Sequence, residues 1–170
     1  MSKVLADPPA QNWQRVSPKL TVVEELSGGI AFLIILLATA VPLVLHAADV
    51  WPGYPAWLAW SVPAVVLVIA VISAIMVPFR VRSRRYALRD DDIAVARGVI
   101  FHRLEVIPYG RIQYVDVKEG PLLRGFGLCE LQVHTASPDA HPEIKGLTAR
   151  DGAVLREELS RRGEERLAGL

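Results

Sequence analysis

Hydrophobic residues in this chain run together twice and then alternate. From Ser27 to Ala48 no side chain carries a formal charge, and Gly28 to Leu37 is apolar on every side of a helix. At ~1.5 Å per residue this stretch spans the ~30 Å core of a bilayer. A core helix of a soluble protein would show a polar stripe. A second uncharged run extends from Val50 to Phe79, densest from Trp57. Trp51, Tyr54, Trp57 and Trp60 stand at its start, where amphipathic aromatics favour the headgroup level. The pattern predicts transmembrane helices over about 27–48 and 57–79. Pro42 and Pro63 fall inside them; bilayer helices tolerate proline, and both are expected to kink toward the same side. The link from Asp49 to Pro55 is short and rich in Pro and Gly, which turns the chain. The helices are therefore expected to be antiparallel neighbours. Three parts follow: an N-terminal segment 1–26, a helical hairpin 27–79, and a domain 80–170. A signal peptide competes for the first span, because Ala38–Thr39–Ala40 fits a cleavage site. Glu24 and Glu25 stand where a positive region should be, and the 26-residue lead is long, so the span is favoured.

After Tyr86 the period changes to two. Tyr86–Arg89 and Ile93–Arg97 flank Asp90–Asp91–Asp92, a hairpin pattern. Gly98 interrupts, Val99 to Ile107 is β-branched and aromatic, and Pro108 stops it. Ile112 to Glu119 alternates, Gly120–Pro121 signals a turn, and Leu128 to Thr135 alternates again. Ala136 to Asp139 reads as a loop and Ile144 to Leu147 as a last short strand. Then helical spacing begins. Thr148 with Asp151 resembles a capping box. Ala153, Val154, Leu155, Leu159 and Arg162 fall on one stripe, and Glu157, Glu158, Arg161, Glu164 and Glu165 on a charged outer face. Six or seven antiparallel strands followed by one helix predict an α+β domain: a barrel or sandwich closed at one end by that helix.

Composition narrows the class. The 170 residues are 52% hydrophobic and 22% charged, with net charge +1 and mean hydropathy +0.31. Disorder and collagen-like structure are excluded by these values. The single cysteine, Cys129, excludes an internal disulfide framework and a Cys-rich zinc site. Charge is segregated. Arg80, Arg82, Arg84 and Arg85 follow the second span directly, whereas residues 86–170 carry 12 basic and 14 acidic side chains. Positive charge beside a span marks the cytoplasmic side, so a multi-pass protein of the plasma (inner) membrane with both termini in the cytoplasm is expected. The acidic balance of the domain argues against nucleic acid. With almost no linker, the domain must lie close to the membrane.

Catalytic chemistry finds little to stand on. His46, His102, His134 and His141 lack metal-ligand spacing, and Cys129 sits in an apolar strand as a packed thiol. Adjacent carboxylates at Asp90–Asp92 do not converge on a cation in an extended chain. No nucleophile elbow, phosphate-binding lysine loop or dinucleotide fingerprint is present. No enzyme activity, cofactor or metal is expected. Two candidates remain. The segment Gly120–Gly127 places Leu122, Leu123, Arg124 and Phe126 in a glycine-rich turn that either folds onto the core or touches a membrane or partner. Arg80, Arg82, Arg84 and Arg85 either set orientation alone or also read anionic headgroups, at ~1 kcal/mol each.

A set of residues resembles a known family. Tyr86–x–Leu88, Arg97–Gly98, Ile107–Pro108–x–x–Arg111–Ile112–Gln113, Gly120–Pro121–Leu122, Phe126–Gly127–Leu128, Leu131–x–Val133–x–Thr135–Ala136 and Ile144–x–Gly146–Leu147 look like the bacterial pleckstrin-homology-like (PH-like) domain. Two preceding spans are similar to the YdbS-like membrane proteins. The resemblance covers about residues 25–160. It implies a PH-type β-barrel capped by the C-terminal helix, membrane attachment, and association with a larger membrane protein carrying more PH-like repeats. For some relatives it implies a role in envelope stress or antimicrobial tolerance. The two prolines between Ser137 and Pro142 depart from the glycines expected in that hairpin, leaving the 135–144 conformation open. The reading is a non-enzymatic membrane protein whose PH-like domain binds protein partners within an envelope complex. The alternative is a module that senses anionic lipids through Arg80, Arg82, Arg84, Arg85 and Arg124.

Overall fold

The computed structural model describes residues 12–50, 53, 55–135 and 142–169. The chain divides into two compact units: Thr21–Phe79, and the segment up to Leu20 together with Arg80–Leu170.

The first unit is helical. Helix α1 runs over Lys19–Ala47 and helix α2 over Ala56–Arg82; α1 starts before its apolar run and α2 extends past its own at both ends. At ~1.5 Å per residue both exceed ~30 Å. Their apolar side chains point outward: Leu33, Ile34, Leu37 and Val44 on α1 and Val65, Leu67, Val68 and Ile75 on α2 are all more than half exposed. So continuous an apolar surface is far larger than water-soluble proteins leave uncovered. Pro42, Pro63 and Pro78 lie within the helices. The Thr39 hydroxyl donates to the carbonyls of Ile35 and Leu36, both at 3.0 Å.

The second unit is built of seven strands among the described residues. A four-stranded antiparallel sheet has the order β1 (Gln14–Arg15), β2 (Arg85–Leu88), β3 (Asp92–Arg97), β4 (Arg103–Pro108). A three-stranded sheet has the order β5 (Ile112–Lys118), β6 (Leu128–Thr135), β7 (Glu143–Thr148). The two sheets form a sandwich rather than a closed barrel. A 3₁₀ turn at Tyr109–Arg111 links them, and helix α4 (Ala149–Ala168) covers the core. Burial along β6 alternates, with Leu131, Val133 and Thr135 inward, as a strand's period of two requires.

Four expectations change. Strand β1 lies in the N-terminal segment, where the sequence predicts none; Gln14 pairs with Tyr86 and Arg15 with Arg85. The stretch Val99–His102 is a turn and not part of β4, because Gly98 has φ +116. The segment after Gly120 contains a short helix, α3 (Pro121–Gly125), with Pro121 at its first position, where its missing N–H costs nothing. The buried stripe of α4 is Gly152, Leu155, Leu159 and Gly163; Ala153 and Val154 are exposed. The cap holds as read: the Asp151 amide donates to the Thr148 hydroxyl at 3.1 Å. The expected loop at 136–139 lies outside the described residues.

Candidate functional site

The sheet register gathers several features at one end of the sandwich. Arg85 pairs with both Arg15 and Ala96, and Arg97 pairs with Arg103 across the next turn. The chain leaves β1 toward α1, and arrives from α2 into β2, at this same end. A groove opens there between Val16, Arg84, Arg85, Val95, Arg97 and the β7 residues Glu143 to Lys145. Four basic side chains line it against one carboxylate, Glu143. Its volume of about 180 Å³ is below the ~300–1,000 Å³ of ordinary small-molecule sites. The Arg85 guanidinium lies 4.9 Å from the centre of the Trp13 ring, a cation–π contact. Arg97 is ion-paired with Glu105 at 2.8 Å, and Arg103 reaches the same carboxylate at 3.2 Å.

Beside this groove projects the β3–β4 turn. Gly98 makes it possible: a Cβ there would lie 1.9 Å from the Phe101 carbonyl oxygen. At its tip Ile100 is 75% exposed and Phe101 88%.

The residues singled out in the sequence separate. Arg80 and Arg82 lie on the last turn of α2, exposed; Arg84 and Arg85 are half-buried at the groove. The Gly120–Gly127 candidates differ in burial. Leu123 is buried at 7% exposure, among the core residues. Leu122 and Phe126 are half-buried, and only Arg124 of the four is exposed. Sequence reading missed Arg97, Lys145, Ile100 and Phe101. The available signal was Gly98 followed by three apolar residues with no polar alternation.

At the far end, α4 is clasped to the sheets. The Arg162 guanidinium donates to the Arg89 carbonyl at 2.6 Å and to the Tyr109 hydroxyl at 3.2 Å, and pairs with Glu158 at 2.5 Å. Tyr109 is fully buried and its hydroxyl donates to the same Arg89 carbonyl at 2.9 Å. Arg166 is ion-paired with Asp91, so the acidic turn holds the helix. Hydrogen bonds from Arg161 and then Arg162 hold the Glu158 carboxyl below its usual range. Burial pushes the Tyr109 hydroxyl up, opposed by Arg162.

Other titratable groups are structural. Cys129 is fully buried under α4 with its thiol 3.5 Å from the Thr148 carbonyl; burial, then Glu119 and Asp151, raise its pKa. His134 stacks on Tyr114 with ring centres 4.2 Å apart and lies 3.8 Å from Asp116. His102 is exposed in the β3–β4 turn, His46 lies on α1, and His141 is outside the described residues. Among the described residues, no three His, Cys, Asp or Glu side chains gather as a metal site.

Two apolar helices leading into a β-sandwich capped by a C-terminal helix define a membrane-attached PH-like protein. The family profile described as "Bacterial PH domain" matches residues 20–163, and the chain belongs to that family. It is also similar to the "UPF0699 transmembrane protein YdbS" of Bacillus subtilis (strain 168), with 25% identity over 140 residues, 81% of this chain and 82% of the relative. No solved structure matches the chain.

Proposed function

We propose that this is a non-enzymatic protein of the bacterial plasma membrane that crosses the bilayer twice and presents its PH-like unit to protein partners on the cytoplasmic face. One observation carries the arrangement: β1, before the first span, pairs with β2, after the second. Two flanks joined in one sheet support a reading in which both lie on one side of the membrane and the spans make a hairpin. Arg80, Arg82, Arg84 and Arg85 favour the cytoplasm as that side. The partner we propose is a larger membrane protein with several PH-like repeats, or a second copy of this chain. A protein partner is supported by β4, which ends its sheet with Val106 45% exposed; an open edge accepts an added strand. The setting, taken from the resemblance alone, is envelope stress or antimicrobial tolerance. The non-enzymatic reading is supported by membership of the Bacterial PH domain family, which is not a family of enzymes.

The test is a photo-crosslinking side chain in place of Val106 in the tagged full-length chain, irradiated in native membranes. The expected product is one discrete adduct, either with a membrane protein or at twice the chain's mass. Adducts with lipid alone overturn the protein-partner reading.

A further inference from the structure

We propose that the β3–β4 turn is a membrane-inserting tip: Ile100 and Phe101 enter the interface of an anionic leaflet while the groove of Arg84, Arg85, Arg97 and Lys145 receives lipid phosphates. The inference rests on the same-side arrangement proposed above, and adds a second contact with the bilayer besides the spans.

The exposure of the tip is the first argument. Phe101 is the most exposed large apolar side chain among the described residues, and Ile100 is its neighbour. Gly98 imposes this turn through its positive φ, so the pair is held outward by the backbone. An aromatic and a branched aliphatic side by side at a hairpin tip gain free energy only by leaving water. Position is the second argument. The register of β1, β2 and β3 places the tip at the end of the sheet where the chain connects to both spans. Of the two ends of β3, this one lies beside Arg85, where β2 begins after the second span. Charge is the third. Four basic residues line the groove with one carboxylate, Glu143, and Arg97 is also paired with Glu105 outside it, leaving an excess of positive charge; guanidinium groups suit phosphate oxygens bidentately. A groove too small for a cofactor still admits a headgroup phosphate. The opposite end of β2 and β3 carries Asp90, Asp91 and Asp92, with Asp91 paired to Arg166 and Asp92 to Arg89, so of the two ends the groove end is the one whose charge suits an anionic leaflet. Basic residues flanking an apolar wedge match how interfacial segments bind anionic lipid.

The test uses full-length Phe101→Cys protein labelled with an environment-sensitive fluorophore in lipid nanodiscs. Cys129 is fully buried, so the introduced thiol is the one that reacts. Discs contain phosphatidylcholine alone or with phosphatidylglycerol. The expected result is a blue-shifted emission, quenched by doxyl-labelled lipid, in the anionic discs. Raising the salt concentration, or Arg84→Gln with Lys145→Gln, reduces both signals. The same label at Asp90→Cys, at the opposite turn, stays water-like. Emission at residue 101 that equals emission at residue 90 in anionic discs overturns the proposal. So does a shift seen in native membranes but not in discs, which assigns the tip to a protein. Ile100→Ser with Phe101→Ser should leave the thermal midpoint unchanged while abolishing the lipid signal of a label at Val99→Cys; a collapsed midpoint makes the tip structural and also overturns it. The arrangement of the flanks is tested separately. Thiols at Gln14 and Arg89 reached by an impermeant maleimide from opposite faces of sealed vesicles would overturn that reading, whatever the tip does.

Discussion

Leu20 occupies the space that a side chain at Gly146 would need: a Cβ there would lie 2.6 Å from Leu20 Cδ2 and 3.0 Å from Leu20 Cβ. Leu20 is fully buried although it stands at the start of the first apolar helix. Just before it, the Ser17 amide donates to the Gly146 carbonyl at 2.8 Å. Gly146 also has φ +90, a conformation costing ~1–2 kcal/mol for other residues. Overpacking adds ~1–3 kcal/mol. Gly146→Ala should therefore lower the thermal midpoint of the full chain in detergent by ~4–20 °C, at ~2–4 °C per kcal/mol for a chain of this length. Leu20→Ala should cost ~2–5 kcal/mol through the cavity it leaves. Midpoints unchanged in both variants would mean that the N-terminal flank is not part of the folded unit.

A second glycine inverts an ordinary helix rule. Alanine is favoured over glycine in helix interiors by ~1 kcal/mol. At Gly152 a Cβ would lie 2.3 Å from the Cys129 sulfur. Gly152→Ala is expected to destabilise the protein, and Cys129→Ala in the same chain to restore part of the loss. Thermal melts of both single variants and the double variant give the coupling. Additive losses would show that α4 does not pack closely on β6.

The Arg162 clasp separates charge from packing. Arg162→Met keeps the stem but leaves the Arg89 carbonyl and Tyr109 hydroxyl one donor poorer, at ~1.5–3 kcal/mol for bonds to a charged group. Tyr109→Phe removes the bond its hydroxyl donates to Arg89, ~1 kcal/mol, and the longer one it accepts from Arg162, while Arg162 still serves Arg89 and Glu158. The expected order of denaturant midpoints is wild type, Tyr109→Phe, Arg162→Met. A reversed order would place the burial of the tyrosine hydroxyl above the guanidinium bonds.

Stability should fall at both ends of the pH scale for different groups. The lowered Glu158 carboxyl stabilises the fold above the ordinary value of 4.5, and that contribution disappears as pH falls through its folded value. The raised groups act oppositely. Cys129, Tyr86 and Tyr109 hold their protons in the folded state. Their stability is present below the ordinary values of 9.0 for the thiol and 10.0 for the phenols, and is lost as pH rises. Thermal midpoints across pH should show an alkaline decline that Cys129→Ala shifts to higher pH. The same onset in both proteins would remove the thiol from the explanation.

What was legible in the sequence was periodic or charge-free. The two spans were readable because no charge interrupts Ser27–Ala48 or Val50–Phe79. Strand β6 was readable because Leu131, Val133 and Thr135 alternate with polar neighbours. Strand β1 was not, since Gln14 and Arg15 have no period and their pairing partners are some 70 residues away. The basic groove joins Arg85 to Arg97 and Lys145 through a register that no local pattern encodes. The tip at Ile100 and Phe101 was read as strand because β-branched and aromatic residues favour strands, and the positive φ of Gly98 outweighed that preference. Val154 was placed inside α4 for its hydrophobicity, whereas the close approach of the helix to Cys129 requires glycine at 152.

The pairing of Arg15 with Arg85 gives the most direct test of how the flanks meet. Directly opposed residues in an antiparallel ladder have Cα atoms ~4.5–5.5 Å apart, within the ~4.4–6.8 Å that a disulfide spans. The double variant Arg15→Cys and Arg85→Cys should therefore oxidise readily in the full-length chain, while buried Cys129 takes no part. A protease site placed in the link after Asp49 would then report the bond. After cleavage, the two pieces should migrate together without reductant and separate with it. Arg15→Cys paired with Arg89→Cys, one strand end away, should not crosslink. Separation of the pieces in the oxidised Arg15–Arg85 variant would mean that β1 does not pair with β2, and the hairpin arrangement would lose its main support.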